Sequence, residues 1–357
     1  MVAYAVAGDG QLHVVGLQSG KDLQKPAPFL PANSRWSNPV AVGTMMYAAT
    51  SGNCAGAPNG VYAIDLDAPD KPVVSYRTNG GSVVGSVAFS SDGNMLVAAI
   101  GPGSMTADGK ANAIVALDPR TLKLKDWFTQ PTAEFVTGPT VFRYGAKDVV
   151  AAATKDGRVI LLDVASLGGA NHETPLVTSQ SLVATGGSIA AEALATWARA
   201  AAATPAPRAP EDRWILVPIS GRPSDPRATN GAIRTGAVVA LRVAEAKGVF
   251  SLEPQWTSND LTTPATPIIV NGVVFALSTG RPFDSLALAQ GRPAVAGAGS
   301  PALLYAYDGV SGKVLWNSGK SMSTFASPGS YWSALSQVYV GTDDGTVYAF
   351  GFLDERR

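Results

Sequence analysis

The chain has 357 residues, of which 46% are hydrophobic and only 15% are charged, with 27 basic and 27 acidic side chains in balance. This level charge, without a run of Lys and Arg interleaved with aromatic residues, gives no support to nucleic-acid binding. No stretch reaches the roughly 20 apolar residues that a membrane-spanning helix needs. The 38 Gly and 25 Pro suit many short strands joined by turns.

Seven β-hairpins follow one another along the chain and are its strongest structural signal. Three are tight, with an Asp-Gly pair where the turn needs positive φ, and four keep both strands but carry a longer insert. The tight hairpins cover 3–15, 149–162 and 338–350, and the others cover 46–64, 96–117, 214–241 and 273–307.

Two further strands complete most repeats. In these repeats, the strand that follows the hairpin carries a large aromatic ring, which can seal the outer edge of one sheet against the next. These rings are Tyr76, Trp127, Trp256 and Trp316. A further short strand, which leads into the next hairpin, follows a Ser-, Thr- or Pro-rich entry, as at 38–40, 138–141 and 266–270. Four strands per repeat predict an all-β fold, a single β-propeller domain over 1–357 with seven repeats visible and seven or eight blades when intact.

One segment departs from this pattern. Leu194, Trp197 and Ala201 have helical spacing within 190–203, and a Pro-rich run follows at 205–210. We therefore expect a helical and Pro-rich insertion near 189–212, between two repeats.

The repeats at the two ends are incomplete. The first begins at its second strand and the last stops after its third, so one inner and one outer strand are unaccounted for. Because an open sheet edge is an aggregation site, we expect a preceding segment to supply them. Met1 leads directly into the first strand, so no signal segment is visible.

Two stretches carry a family resemblance: LYAYDGVSGKVLW at 304–316 and VYVGTDDGTVYAFG at 338–351. They resemble the repeat of the pyrroloquinoline quinone (PQQ)-like propellers, the quinoprotein alcohol dehydrogenase-like superfamily, and the resemblance spans essentially the whole chain. The superfamily contains both quinone-dependent dehydrogenases and propellers without a cofactor, including outer-membrane assembly scaffolds, so it indicates fold more than activity. It also implies a periplasmic or secreted bacterial protein.

Three functions follow from the resemblance. The first is a ligand-binding or scaffold domain with its ligand on the long-loop face of the central channel. The second is a PQQ- and calcium-dependent dehydrogenase of alcohols or sugars. Its large alcohol-oxidising members use a disulfide between adjacent cysteines, which the single Cys54 cannot form, although sugar-oxidising relatives do without one. There is also no Cys-x-x-Cys-His haem site. The third is a protein-interaction platform similar to the assembly propellers.

The long inserts share one position, the turn between the second and third strands, near 51–60, 101–113, 220–236 and 279–302. Such turns lie on one rim of a propeller, where loops on a rigid scaffold carry function. The last two inserts contain Arg222, Asp225, Arg227, Asn230, Arg234, Arg281 and Asp284. Converging arginines would hold a small acidic or planar ligand. Alternatively, they pair with the two aspartates and fasten the loops.

Two tryptophans are further candidates for a binding site. Trp36 and Trp332 sit at the entry to inner strands, where they would stack on a planar ligand or pack between blades. His13 takes a strand position that Tyr fills in other repeats, which indicates packing. His172 lies beside Glu173 in a polar turn, which indicates a solvated side chain.

The other polar candidates have simpler interpretations, and we predict no catalytic or metal-binding residue. Asp9, Asp156 and Asp344 precede Gly and are turn residues. Asp108 with Asn112 could donate oxygens to calcium, but the spacing fits no loop motif. Cys54 has no histidine near it in sequence and is an incidental thiol.

Overall fold

The computed structural model describes residues 1–37, 39–105, 109–130, 134–189, 192–199, 212–225, 230–281 and 299–351. This part of the chain contains 28 β-strands and two short 3-10 turns, at Cys54–Gly56 and Gly169–Asn171. None of its helical segments has the length and apolar character of a membrane span.

Seven antiparallel sheets follow one another in chain order, and within each sheet the strands are arranged in their order along the sequence. Sheet 1 contains β1 (Val2–Val6), β2 (Gln11–Gly16) and β3 (Ala27–Pro28); sheet 2 contains β4 (Arg35–Trp36), β5 (Val40–Val42), β6 (Met45–Ser51), β7 (Gly60–Asp65) and β8 (Val73–Arg77); sheet 3 contains β9 (Val83–Phe89), β10 (Leu96–Ile100), β11 (Ala113–Leu117) and β12 (Leu124–Thr129).

The remaining strands form four more sheets. Sheet 4 contains β13 (Thr140–Tyr144), β14 (Lys147–Ala153), β15 (Val159–Asp163) and β16 (Val177–Thr178); sheet 5 contains β17 (Ser188–Ile189), β18 (Ala195–Ala198), β19 (Arg213–Ser220), β20 (Gly236–Ala246) and β21 (Val249–Thr257); sheet 6 contains β22 (Ile268–Val270), β23 (Val273–Ser278), β24 (Leu303–Asp308) and β25 (Val314–Asn317); sheet 7 contains β26 (Ala326–Ala334), β27 (Gln337–Thr342) and β28 (Val347–Gly351).

These sheets are the repeats of a β-propeller, as the sequence predicts. All seven hairpins are present as neighbouring strands, from β1 with β2 to β27 with β28. Sheets 2 and 5 contain five strand segments because their first strand is split in two, and both halves pair with the next strand. In the described chain, sheets 1 and 7 have three strands each, which lack the counterparts of an inner and an outer strand respectively, as the sequence indicates.

The chain divides into two compact units. Unit 1 comprises Met1–Ala152 and Leu161–Pro175, and unit 2 comprises Ala153–Ile160 and Leu176–Arg357. Sheets 1 to 3 therefore lie in unit 1, sheets 5 to 7 lie in unit 2, and sheet 4 has residues in both. That the whole chain forms a single domain stays a prediction.

Each unit has its own apolar core between adjacent sheets. In unit 1, Leu96 and Val115 of sheet 3 pack with Val61 of sheet 2. In unit 2, Leu304 of sheet 6 packs with Val338 of sheet 7. Central strands such as β10 and β11 are buried along their whole length because both faces of their sheet are covered. Truncating Leu304 to Ala would destabilise the protein by about 2–5 kcal/mol.

The predicted helix near residue 195 is wrong for the residues described there. Ala195–Ala198 form strand β18, which pairs with β19 and places Trp197 opposite Trp214. Their rings stack with centroids 5.9 Å apart. Sheet pairing and this ring contact outweigh the high helix propensity of an Ala-rich segment, because tertiary context overrides intrinsic propensity. The segment at 188–198 thus supplies the first strand of sheet 5, while 190–191 and 200–211 lie outside the described residues.

Aspartate carboxylates stabilise the hairpin turns, as predicted from the glycine that follows each of them in the sequence. Asp344 accepts hydrogen bonds from the Thr342 hydroxyl at 2.7 Å and the Thr346 N–H at 3.1 Å. These donors, the Thr342 hydroxyl first, lower the pKa of Asp344 to about 2. Asp9 accepts the Gln11 N–H in the first hairpin. The side chains therefore stabilise turn backbone.

Candidate functional site

Four long turns join the second and third strands of sheets 2, 3, 5 and 6. They follow β6, β10, β19 and β23, and two of them belong to unit 2. We call these two the sheet-5 loop (220–236) and the sheet-6 loop (279–302). They contain all four arginines proposed from the sequence as ligand-binding residues.

The base of the sheet-5 loop is pinned by Asp260. One of its carboxylate oxygens accepts the Arg234 N–H at 2.9 Å, the Thr235 N–H at 2.8 Å and the Thr235 hydroxyl at 3.0 Å. Burial would raise the pKa of Asp260, but the N–H donors of Thr235 and Arg234 hold it below its ordinary value. The carboxylate is therefore charged at neutral pH and fixes the loop where it enters β20.

Asn230 fixes the same loop to its own sheet and to sheet 6. Its side-chain amide donates to the carbonyl oxygens of Thr257 and Gly312, each at 2.9 Å. The side chains of Arg222 and Arg234 take no part in this fastening: both are exposed, and neither forms a side-chain hydrogen bond or ion pair with the described residues. Arg227 lies outside the described residues. The two guanidinium groups are available to a ligand.

Arg281, in the sheet-6 loop, is held inside unit 2. Its Nη2 contacts the Asp343 carboxylate, and its guanidinium lies 4.6 Å from the centroid of the Phe325 ring. Asp343 also accepts the Ser327 hydroxyl at 3.3 Å. This arrangement matches the loop-fastening alternative, with Asp343 as the partner. Asp284 lies outside the described residues, and the approach of Arg281 to Arg222 stays a prediction.

A cleft of about 280 Å³ lies beside the sheet-5 loop. Its lining includes the apolar side chains of Leu252, Pro254 and Trp256 and the polar residues Gln180, Ser224 and Asp225. An apolar surface with a few polar groups is the usual composition of a small-molecule site.

Hydrogen bonds to main-chain carbonyls hold the cleft in shape before any ligand binds. Ser224 donates its N–H to the Leu182 carbonyl at 3.0 Å, and the Arg222 carbonyl accepts the Ala184 N–H at 2.8 Å. The indole N–H of Trp256 donates to the Gly309 carbonyl at 3.0 Å. Little ordering is therefore needed when a ligand enters, which favours binding.

A larger cleft, of about 400 Å³, lies in unit 1 among the turns of sheets 3 and 4. Its charged side chains already contact each other: Lys147 contacts Asp163, and Arg143 lies 3.7 Å from Asp148. Asp148 also accepts the Ser91 N–H and hydroxyl, both at 2.9 Å. We prefer the smaller cleft as the candidate site, because the charges of the larger one are used in holding two sheets together.

The two candidate tryptophans lie in different units. Trp36, on β4, is half-buried and pairs with Thr50 of β6. Trp332 lies within β26, where it is 46% exposed and stacks on Tyr339 with centroids 5.5 Å apart. Both tryptophans lie on paired strands, but Trp332 presents an exposed aromatic surface, whereas Trp36 is half-buried.

His172 is not a solvated turn residue. Its ring stacks on Trp127 at a centroid distance of 3.6 Å. Its Nδ1 lies 3.0 Å from the Trp127 carbonyl and 3.1 Å from the Asp126 carboxylate. The solvated assignment was wrong because both partners lie more than 40 residues away in sequence. His13, in contrast, lies on β2 as predicted and contacts Asp22 at 3.1 Å.

The other polar candidates form no site in the described chain. Cys54 is a half-buried free thiol within a 3-10 turn. Asn112 donates its amide to the Gln130 carbonyl at 2.7 Å, and Asp108 lies outside the described residues. Sequence reasoning missed Asp260 and Asp343, whose roles as loop anchors depend on contacts with residues distant in sequence. A signal for Asp343 was the doubled Asp before Gly345, since one carboxylate suffices for the turn.

The sequence matches no protein-family model and no curated protein. Solved structures do match. BamB from Moraxella catarrhalis superposes with a TM-score of 0.54 at 13% identity, over 98% of this chain and 82% of that one. Quinohemoprotein alcohol dehydrogenase from Comamonas testosteroni superposes with a TM-score of 0.51 at 13% identity, over 95% of this chain and 61% of that one. Sqt1 from Chaetomium thermophilum superposes with a TM-score of 0.58 at 11% identity, over 99% of this chain and 80% of that one. At such identities the likeness shows the propeller fold alone.

Proposed function

We propose that the chain is a ligand-binding or scaffold propeller of the PQQ-like repeat type, with its ligand at the sheet-5 loop. The observation that carries the proposal is the cleft lined by Pro223 and Ser224 of the sheet-5 loop, with Leu252 and Trp256 as its apolar surface. Arg222, which directly precedes Pro223, is exposed and forms no ion pair with the described residues. A free guanidinium binds a carboxylate through two parallel hydrogen bonds. The ligand class is therefore a small planar acid.

Arg234 supports the same ligand class. It lies on the same loop, is exposed, and leaves its side chain unused while its main chain is held by Asp260. Two cations on one pinned loop raise the local concentration of anions. A ligand with more than one carboxylate would contact both.

The PQQ-like assignment is supported by the repeat resemblance at 304–316 and 338–351 together with the propeller fold. The same resemblance supports a periplasmic or secreted bacterial location.

The quinoprotein alternative finds less support among the described residues. Calcium needs several carboxylate or carbonyl oxygens, and in this part of the chain no three His, Cys, Asp or Glu side chains gather closely enough to hold a metal ion. Arg281, a candidate for the carboxylates of PQQ, is occupied by Asp343. Because these residues do not fit a quinone and calcium, we derive no chemical step through them.

A protein-interaction platform is the second candidate, and sheet 7 favours it. Trp332, Leu335 and Val347 are 46%, 90% and 59% exposed. Leu335 also has a φ of +48° at the tip of its hairpin, a conformation that costs roughly 1–2 kcal/mol for a side chain other than Gly or Asn. Trp332 and Leu335 lie three positions apart at one end of the β26–β27 hairpin, and exposed apolar side chains that form a patch mark protein-binding surfaces.

The proposed acid site is tested by ligand protection of the purified protein. Benzene-1,3,5-tricarboxylate should raise the midpoint of thermal unfolding in a concentration-dependent way, because it binds only the folded state. The matching tricarboxamide, which has the same ring without charge, should not. Equal protection by both compounds would contradict an acid site, and dye-linked turnover that needs both PQQ and calcium would favour the quinoprotein.

A further inference from the structure

The cleft beside the sheet-5 loop has a carboxylate in its lining. Among the described residues that line it, Asp225 alone is charged, and it is half-buried. The exposed Arg222 is not part of the lining, but it directly precedes Pro223, which is. The interior of the cleft therefore favours a positively charged group, whereas a cation stands next to it along the chain.

Three serines in the lining donate their hydroxyl hydrogens to main-chain carbonyl oxygens. They are Ser179, Ser181 and Ser224, and the accepting carbonyls belong to Gln180, Asp156 and Ser181, at 2.7, 2.8 and 2.5 Å respectively. A hydroxyl group carries a single hydrogen and two lone pairs. What Ser181 and Ser224 still offer to a ligand is therefore an oxygen that accepts a hydrogen bond.

The indole N–H of Trp256 is also used within the protein, because it donates to the Gly309 carbonyl at 3.0 Å. Asp225 can only accept hydrogen bonds while it is ionised, and the side chains of Gln180 and Thr257 can either donate or accept. The side chains of the lining thus offer more acceptors than donors. A ligand group that donates several hydrogen bonds fits this cleft best.

An acidic group of the ligand has no favourable place inside the cleft. It would lie near the Asp225 carboxylate, which repels it, and it would displace water that solvates this carboxylate without donating in return. Arg222, in contrast, binds a carboxylate well. Three peptide units join these two residues, so their Cα atoms lie at most about 11 Å apart. One small ligand can therefore contact both, with an acid at one end and a donor at the other.

We propose, on the premise of the acid site above, that its ligand is a zwitterion: one aromatic ring with a carboxylate for Arg222 and a protonated amine for Asp225. An ammonium group has three N–H donors, which suit the Asp225 carboxylate and the hydroxyl oxygens of Ser181 and Ser224. The ring lies against Leu252. A cleft of about 280 Å³ is smaller than the usual site for a drug-sized molecule, which limits the ligand to about one substituted ring.

Three single-ring compounds test the two ends of the ligand separately, in calorimetric titrations of the parent protein at low salt and pH 7. The zwitterion is 5-(aminomethyl)benzene-1,3-dicarboxylate, and 5-methylbenzene-1,3-dicarboxylate is the same acid without the amine. The third compound, 3,5-dimethylbenzylamine, is the same amine without the acid. The zwitterion should bind at least about tenfold more tightly than either of the others, because it alone makes charge-assisted hydrogen bonds at both ends.

Three variants assign these contacts to residues. Asp225→Asn keeps the size of the side chain and removes its charge, so it should abolish most of the difference in affinity between the zwitterion and the methyl compound. Arg222→Gln should weaken both of these compounds by a similar factor, because both carry the carboxylates. The control is Asp212→Asn, at an exposed position directly before β19 and at the end of that strand remote from the sheet-5 loop. It should bind all three compounds as the parent does.

The possible failures are distinguishable. Equal affinity of the zwitterion and the methyl compound for the parent protein would overturn the proposal and leave the acid site intact. An advantage of the amine that Asp225→Asn fully retains would also overturn it, since the amine would then contact another group. Failure of both dicarboxylates to bind would remove the acid site itself. Binding of 3,5-dimethylbenzylamine as tight as that of the zwitterion would show a site for cations alone and would overturn the carboxylate contact.

Discussion

Two loops of unit 2 begin with the same tripeptide, and their arginines have different roles. Gly221-Arg222-Pro223 opens the sheet-5 loop and Gly280-Arg281-Pro282 opens the sheet-6 loop. Both glycines have positive φ, +93° and +77°, so the local backbone is alike. Arg281 contacts Asp343 and lies over Phe325, whereas Arg222 is exposed.

The difference arises in the neighbouring sheet. Sheet 7 presents Asp343, an extra carboxylate beside the turn residue Asp344, to the loop of sheet 6. Arg222 has no such partner among the described residues. A repeated tripeptide therefore fixes a backbone shape, while the residue it meets decides whether the cation fastens the fold or remains free for a ligand.

The largest expected effect is a difference in the loss of stability when either of these two glycines is replaced by alanine. A Cβ built on Gly280 would lie 1.9 Å from the Ser300 carbonyl oxygen, and one on Gly221 would lie 3.0 Å from the Gly187 Cα. Gly280→Ala should cost about 3 kcal/mol or more of stability, since backbone strain and a clash combine. Gly221→Ala should cost about 1–2 kcal/mol, mainly from its positive φ. Denaturant unfolding measures both, and equal costs would contradict the difference between the loops.

A smaller difference in the free energy of unfolding is expected when either of the two arginines is replaced by glutamine. Arg281→Gln should lower the free energy of unfolding by about 1 kcal/mol, because it loses a half-buried ion pair and a contact with an aromatic ring. Arg222→Gln should change it by less than about 0.5 kcal/mol, as an exposed substitution does. A double-mutant cycle of Arg281→Gln with Asp343→Asn should show coupling. Additive effects would mean that this ion pair does not fasten the loop.

Acid should loosen the sheet-5 loop through Asp260. Its folded pKa lies below its unfolded value of about 3.9. The stabilisation by the carboxylate is therefore complete above about pH 4 and is lost as the pH falls through the lower folded pKa. Asp260→Asn should lower the unfolding midpoint at pH 7 and reduce its fall between about pH 4 and pH 2. The control Asp70→Asn, at an exposed position, should follow the parent at every pH.

The sequence predicted the fold because its signals are local. The Asp-Gly turn at Asp344 and the alternating residues around it define a hairpin without help from distant residues. The same reasoning located the long turns, since an insert between two paired strands is visible in the sequence. These signals required no knowledge of which sheet packs against which.

The predictions that failed depended on contacts distant in sequence. Ala195–Ala198 form a strand because Trp197 packs on Trp214 of β19, which a local helical pattern does not reveal. His172 is held by Trp127, 45 residues away. Arg281 and Arg222 look alike in sequence, and only Asp343, 62 residues from Arg281, distinguishes them.

The most direct test of the proposed acid site is calorimetric titration with benzene-1,3,5-tricarboxylate at low salt. The parent protein, Arg281→Gln and the control Arg242→Gln should bind with the same affinity, since Arg281 is occupied and Arg242 is paired with Glu253 at 3.0 Å on β21. Arg222→Gln should bind about tenfold more weakly or worse, because it loses a charge-assisted bidentate contact. Loss of binding in Arg281→Gln with full affinity in Arg222→Gln, or no binding by the parent, would contradict the account.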